Sequence, residues 1–163
     1  MNNKSCWIFD IDGTMADGRH RQHHVQKKPK NWPAYQKLAY DDGVYHSVVN
    51  VLKALYHSSQ KIFICSGRSE FERTVTEKWL FDKCHLMINP PHDHPAHLEL
   101  HMRPKNDHRN DTIIKHEMLN NIIRPRGFEP IGVFDDRNRV VQMWRQEGIH
   151  VFHVDQTSVS QDF

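Results

Sequence analysis

A chain of 163 residues has room for one domain with a sizeable core. Hydrophobic residues at 37% and charged residues at 26% describe an ordinary globule and exclude an intrinsically disordered chain. The formal net charge of +2, with 14 histidines counted neutral, is too small to assign a partner by itself. No apolar run approaches the ~18 residues of a membrane span, and the first residues carry no signal peptide, so a cytoplasmic protein with no membrane partner is expected. Cys6, Cys65 and Cys84 are odd in number and form no CxxC, and two of them lie in or beside apolar runs, which predicts reduced, buried thiols.

The first predicted strand, 6–9, runs straight into two carboxylates in "WIFDIDGT". Side chains two apart on a strand point the same way, so Asp10 and Asp12 share one edge if the strand persists through them. Like charges that close repel unless a cation or a proton sits between them. Either a metal and phosphate centre lies here, or the pair decorates a turn before Gly13. Residues 19–30, "RHRQHHVQKKPK", carry five Lys or Arg, three His and no acid. That run suits a phosphate backbone and equally a solvated loop. Trp32 and Tyr35 in "WPAY" read as the edge of a small core in preference to a base-stacking surface.

Val48, Val49, Leu52 and Leu55 then recur at helical spacing, and a strand is expected at 62–65 with Ser66, Gly67 and Arg68 after it. A second helix carries Val75, Trp79 and Leu80, and a third strand is expected at 86–88. His92, His94, His97 and His101 have spacings that would suit zinc, but no cysteine accompanies them and prolines interrupt them, which favours a solvated loop. A milder basic stretch covers 101–109. The helix entered near Asp111 shows Ile114, Met118 and Ile122 on one face and carries Lys115. The fourth strand, 131–134, ends at Asp135 and Asp136. Val140, Val141, Met143 and Trp144 form the core of the next helix, with Gly148 at its C-cap and a fifth strand at 149–154. Arg137 and Arg139 fit either a phosphate contact or a solvated helix start.

Alternating helices and continuous apolar strands imply an α/β fold with a mainly parallel sheet covered on both faces, as one domain over 1–163. Residues 19–42 leave room for a small cap or basic loop inserted after the first motif. Ligands of such sheets bind beyond the carboxyl ends of the strands, where Asp10, Asp12, Ser66, Lys115, Asp135 and Asp136 would converge. Carboxylates around a small cavity make an oxygen site of the kind Mg²⁺ prefers. Asp10 would then attack phosphorus to form an aspartyl-phosphate, and Asp12 would protonate the leaving oxygen and later activate water. The Ser66 hydroxyl, nearby amides and the Lys115 ammonium would hold the transferring oxygens.

"DIDGT", "SGR", a downstream Lys and "DD", in this order, resemble the four motifs of haloacid-dehalogenase-type phosphohydrolases. The last third, "NDTIIKHEML", "FDDRNRVVQMWRQEGIHVF" and a terminal "QDF", is similar to the 3′-phosphatase domain of tailed-phage polynucleotide kinase–phosphatases. The resemblance implies a Rossmann-like five-stranded sheet of order 5-4-1-2-3, counting the five predicted strands, with at most a small cap. It implies Asp10 as nucleophile and Asp12 as acid and base, with Thr14, Gly67, Arg68 and Lys115 around the phosphate and Asp111 as partner of Lys115. Mg²⁺ would be held by Asp10, the Asp12 carbonyl, Asp135 and Asp136. An arginine shortly after the first motif is also implied; Arg19 is slightly favoured over Arg21. The middle of the chain is not shared, and no GxxxxGK[ST] loop for ATP is present.

A phospho-receiver domain also uses Asp, Lys and an acidic pair, but there the pair follows the first strand and the Lys comes last. A nucleotidase of the same fold is the nearer alternative. The spaces between motifs are too short for the large cap that small-substrate members carry, which favours an open site for a polymer end. The expected activity is Mg²⁺-dependent removal of 3′-phosphate from DNA or RNA ends, with 2′,3′-cyclic phosphate as a substrate by family analogy only. A phage-encoded protein would act in the host cytoplasm.

Overall fold

The computed structural model describes residues 4–88 and 98–154. His92, His94 and His97, and the terminal residues 161–163, lie outside the described residues. Strand β1 (Lys4–Phe9) leads to β2 (Ala16–Asp17), α1 (His23–Gln26), α2 (Trp32–Lys37) and β3 (Gly43–Val44). There follow α3 (His46–His57), β4 (Ile62–Ser69), α4 (Arg73–Cys84), β5 (Leu98–Arg103), α5 (Asp111–Met118), β6 (Phe128–Asp135), α6 (Asn138–Gln146) and β7 (Val151–His153).

Five strands form one sheet in the order β5-β4-β1-β6-β7, every pairing parallel. The two-residue period of a strand divides the core between its faces. Phe9, Ile62 and Ile64 point to one side, beneath Leu52 of α3 and Trp79 and Leu80 of α4. Cys6, Ile8, Phe63 and Cys65 point to the other, beneath Ile114 of α5 and Val140 and Trp144 of α6. The three cysteines are free and buried, and burial pushes the Cys6 and Cys84 thiols up to about 12. On the first face the rings of Phe9, Phe134 and Phe152 stack at 4.6 and 4.7 Å. Trp7 crosses β6 at Gly132, where a Cβ would lie 2.3 Å from its ring, so no side chain fits there.

One predicted strand is corrected. Residues 86–88 form no strand with any of the described residues; the strand beside β4 is Leu98–Arg103, which differs from the expected arrangement in the identity of this edge strand. Helix α4 ends in a left-handed turn at His85 (φ 56°), and the Leu86 N–H bonds back to the Leu80 carbonyl. Leu86 is buried as the end of that helix cap, so its apolarity marks burial without a ladder. Residues 98–103 alternate buried and half-buried, the pattern of an edge strand with one face on the core. The fifth strand is shorter than expected, Val151–His153.

Glu99 on β5 gathers Arg126 at 2.7 and 2.9 Å, Lys61, and His101 at 3.2 Å. The Arg126 hydrogen bonds, with Lys61 adding to them against burial, draw its pKa down to about 2 from an ordinary 4.5. Because the folded pKa is depressed, this carboxylate stabilises the fold above pH 4.5, and the contribution disappears as pH falls through about 2. Glu99→Gln is expected to cost about 1–2 kcal/mol at pH 7, after allowance for solvent screening, with the difference from wild type vanishing in acid. Urea titrations of both proteins across that range measure it.

Candidate active site

Every strand of the sheet ends at the same edge, and the polar residues at or just beyond the ends of β1, β4 and β6 meet there with the start of α5. β1 ends by bonding the Asp10 N–H to the Phe134 carbonyl, after which Gly13, Thr14, Met15 and Ala16 fold into a tight turn around the Ile11 carbonyl. Gly13 takes φ +81°, and a Cβ there would lie 2.1 Å from Asp136 Oδ2; only glycine permits both the turn and the approach of that carboxylate.

Two charge clusters share this edge. In the first, the buried Lys115 ammonium donates to Asp10 Oδ1 and Asp135 Oδ2, both at 2.7 Å. The Trp144 indole N–H also donates to Asp135, at 3.2 Å, and the Thr14 hydroxyl lies 3.3 Å from Asp10 and 3.4 Å from Asp136. Burial, the largest influence, pushes the Asp10 carboxyl well above its usual range; Lys115 opposes this, and Asp135 and Asp136 add to it. Burial and then Asp135 push Asp136 up to about 6. Burial lowers the Lys115 pKa, but Asp10 and Asp135 outweigh it and keep the ammonium charged.

Asp10, Asp135 and Asp136 can each present an oxygen within 4.8 Å of the others. Three carboxylates against one ammonium leave an excess of buried negative charge, and the raised pKa values record its cost. This all-oxygen donor set fits a hard divalent cation.

In the second cluster Asp12, a quarter exposed, accepts from Arg68 at 2.7 and 2.9 Å and from Arg21 at 2.8 Å. Both guanidiniums are buried and also donate to the fully buried Asp42, Arg21 at 2.6 Å and Arg68 at 2.7 Å. Burial acts to raise the Asp12 pKa, but Arg68 and Arg21 overcome it and hold the carboxyl far below the ordinary range. Arg21 lies 3.9 Å from the Tyr35 ring. Arg19, the arginine slightly favoured from sequence, is instead more than half exposed and paired with Asp17 at 2.5 Å; Arg21 is the one brought to the cluster.

Ser66 is fully buried, and its hydroxyl accepts the Arg68 N–H at 3.1 Å, shaping the irregular end of β4, where its register with β5 shifts between Ser66 and Ser69. Gly67 packs on Asp111, whose carboxylate would lie 2.9 Å from a Cβ there. Asp111 does not hydrogen-bond Lys115: its bonds go to Arg103 and Arg137, and only its charge reaches the ammonium. Arg103 also donates to the Gly67 and Arg109 carbonyls, at 2.8 and 2.6 Å, and so ties the end of β4 to the start of α5.

Sequence reasoning missed Asp42 and Arg103. An acid following "LAY" with Gly43 behind it reads as a turn, and Arg103 lay within a stretch taken as generally basic. The pairing of β2 with β3 brings residues 18 and 42 together, so the segment between them leaves and returns at one point beside the site. Asp10, Asp12 and Lys115 line a cleft of about 500 Å³, with Trp32, Tyr35 and Phe71 among its other walls.

The family model for the polynucleotide kinase PNKP phosphatase domain matches residues 4–159. The chain belongs to that family. This places it among the phosphoric monoester hydrolases of the haloacid-dehalogenase superfamily. A putative bifunctional polynucleotide kinase/RNA ligase of Autographa californica nuclear polyhedrosis virus is 29% identical over 139 residues, 85% of this chain and 17% of that protein. A chain in the structure of the Pnkp1/Rnl/Hen1 RNA repair complex superimposes with a TM-score of 0.71 at 29% identity, covering 96% of this chain and 44% of that one. The class C acid phosphatase of Bacillus anthracis shares the fold, with a TM-score of 0.62 at 14% identity over 98% of this chain and 69% of its own. The chain therefore spans less than half the length of the two PNKP-type relatives. Among the described residues no helix is long and apolar enough to cross a membrane.

Proposed function

We propose that this phosphatase domain removes 3′-phosphate from nucleic-acid ends through an aspartyl-phosphate on Asp10. The observation that carries the reading is the joint presence, in one open cleft, of Asp10 against Lys115 and of Asp12 between two buried arginines. Relatives named for polynucleotide kinase, RNA ligase and RNA repair support a polynucleotide end as substrate.

The Asp10 carboxylate attacks phosphorus, with Lys115 neutralising charge on the transferring oxygens. Asp12 is ionised at rest because Arg21 and Arg68 hold it so. An incoming phosphate dianion competes for those guanidiniums, which raises the Asp12 pKa, so that Asp12 takes up a proton from water and passes it to the 3′-oxygen as the phosphorus–3′-oxygen bond breaks. In the second half the same carboxylate takes a proton from the water that cleaves the aspartyl-phosphate. Asp10, Asp135, Asp136 and the Asp12 carbonyl would hold Mg²⁺, which when bound offsets the phosphate charge as a carboxylate approaches.

The deciding experiment measures phosphate release from 3′-phosphorylated DNA, 3′-phosphorylated RNA, a 5′-phosphorylated oligonucleotide and free 3′- and 5′-nucleotides. Release from the 3′-phosphorylated oligonucleotides is expected, abolished by chelation and restored by Mg²⁺. Preference for free nucleotides would transfer the assignment to a nucleotidase.

A further inference from the structure

We propose that Trp32 and Phe71 form a stacking surface for bases next to the phosphate being removed, so that the cleft recognises a strand of nucleic acid through its rings as well as its charge. This rests on the phosphatase reading of Asp10 and extends it to the substrate's bases. Trp32 is 46% exposed and Phe71 64% exposed, and both line the cleft that holds Asp10. Exposed aromatic rings at a cleft are informative where isolated exposed aliphatics are not.

Neither ring is carried by a loose segment. Trp32 begins α2, whose first turn is closed by the Asn31 side chain accepting the Ala34 N–H at 3.1 Å and is stiffened by Pro33. The Trp32 ring meets Tyr35 edge-on at 5.8 Å, Tyr35 lies on Arg21, and Arg21 donates to Asp12. A base on Trp32 is thereby connected by packed groups to the carboxylate proposed to move the proton. Phe71 occupies the middle of a single 3₁₀ turn, Glu70–Glu72, which Ser69 and Glu72 close as a capping box.

Each ring also has an ammonium close by. Lys30 Nζ lies 5.4 Å from the centre of Trp32, and Lys105 Nζ 5.2 Å from that of Phe71. A ring and a cation, presented twice, complement a polymer in which planar bases alternate with phosphates. A phosphopeptide supplies the anion without a ring at each repeat, and a simple phosphate ester supplies neither neighbour.

The test compares 3′-phosphorylated oligonucleotides that either carry a base on the last two sugars or are abasic there. Wild type is expected to favour the base-bearing strand by about tenfold in kcat/KM, within the range of base–aromatic stacking. The preference should collapse toward one in Trp32→Ala and shrink in Phe71→Ala, and return in Trp32→Phe. Titration with an unphosphorylated oligonucleotide should quench tryptophan fluorescence in wild type and not in Trp32→Phe. A base preference that survives in both alanine variants, or its absence from an active wild type, overturns the stacking surface, as does faster release from a phosphopeptide. Failure of wild type on every phosphate ester, a chromogenic one included, counts instead against the phosphatase reading itself.

Discussion

Asp10→Asn is expected to reduce phosphate release by on the order of 10⁴-fold or more, with no loss of folding. The amide matches the carboxylate in shape and can still accept from Lys115, but it is not a competent nucleophile toward phosphorus. Asp10 is buried beside two other acids; burial first, and then the charges of Asp135 and Asp136, raise its pKa, and the neutral amide escapes both costs. Thermal stability should therefore hold or rise without a divalent cation, whereas added Mg²⁺ should stabilise the variant less than wild type. Circular dichroism with a phosphate-release assay reads both quantities. Appreciable turnover by a folded Asp10→Asn protein would falsify the covalent route.

Asp12→Asn should slow release from a 3′-phosphorylated oligonucleotide by ~10²–10⁴-fold, the usual range for loss of a general acid and base. The loss in the phosphorylation step, read as the initial burst of alcohol or nitrophenolate, should depend on the leaving group, which a merely structural defect would not produce. A sugar alkoxide needs the proton and a nitrophenolate scarcely does, so p-nitrophenyl phosphate should still phosphorylate Asp10 in the variant. Dephosphorylation also needs Asp12, so a hydroxylamine-labile phosphoprotein should accumulate after acid quench. Removing the carboxylate charge leaves Arg21 and Arg68 sharing Asp42 alone, at an expected stability cost of about 1–3 kcal/mol. Equal losses on both substrates, with no phosphoprotein, would assign Asp12 to holding the arginines in place.

The two variants also separate the charge clusters. Lys115 connects Asp10 to Asp135, whereas Arg21 and Arg68 connect Asp12 to Asp42. Residues two apart in sequence thus shift in opposite directions: burial, with Asp135 and Asp136 behind it, raises Asp10 against Lys115, whereas two arginines overcome burial and lower Asp12. Both follow the end of β1 and so lie at the sheet's carboxyl edge; the different neighbours come from elements far along the chain.

What the sequence by itself determined was the sheet and its reactive edge. The apolar runs at 6–9 and 62–65 are continuous because their strands are largely covered on both faces, the run at 131–134 leaves Ile131 half exposed, and each of the three leads into a polar group at the reactive edge. Strands of one parallel sheet end at one edge, so Asp10, Ser66 and Asp135 had to converge. Residues 86–88 misled because an apolar triplet signals burial, and burial at a helix cap looks the same as burial in a strand. Only the tertiary structure decided between Arg19 and Arg21, which differ by two positions and share a basic context. One reaches solvent and Asp17, while the other turns inward between Asp12 and Asp42. It alone also made Asp42 a member of the site and gave Asp111 its partners, Arg103 and Arg137. An ion pair depends on distances of a few ångströms between side chains set by packing, and no local periodicity encodes those distances.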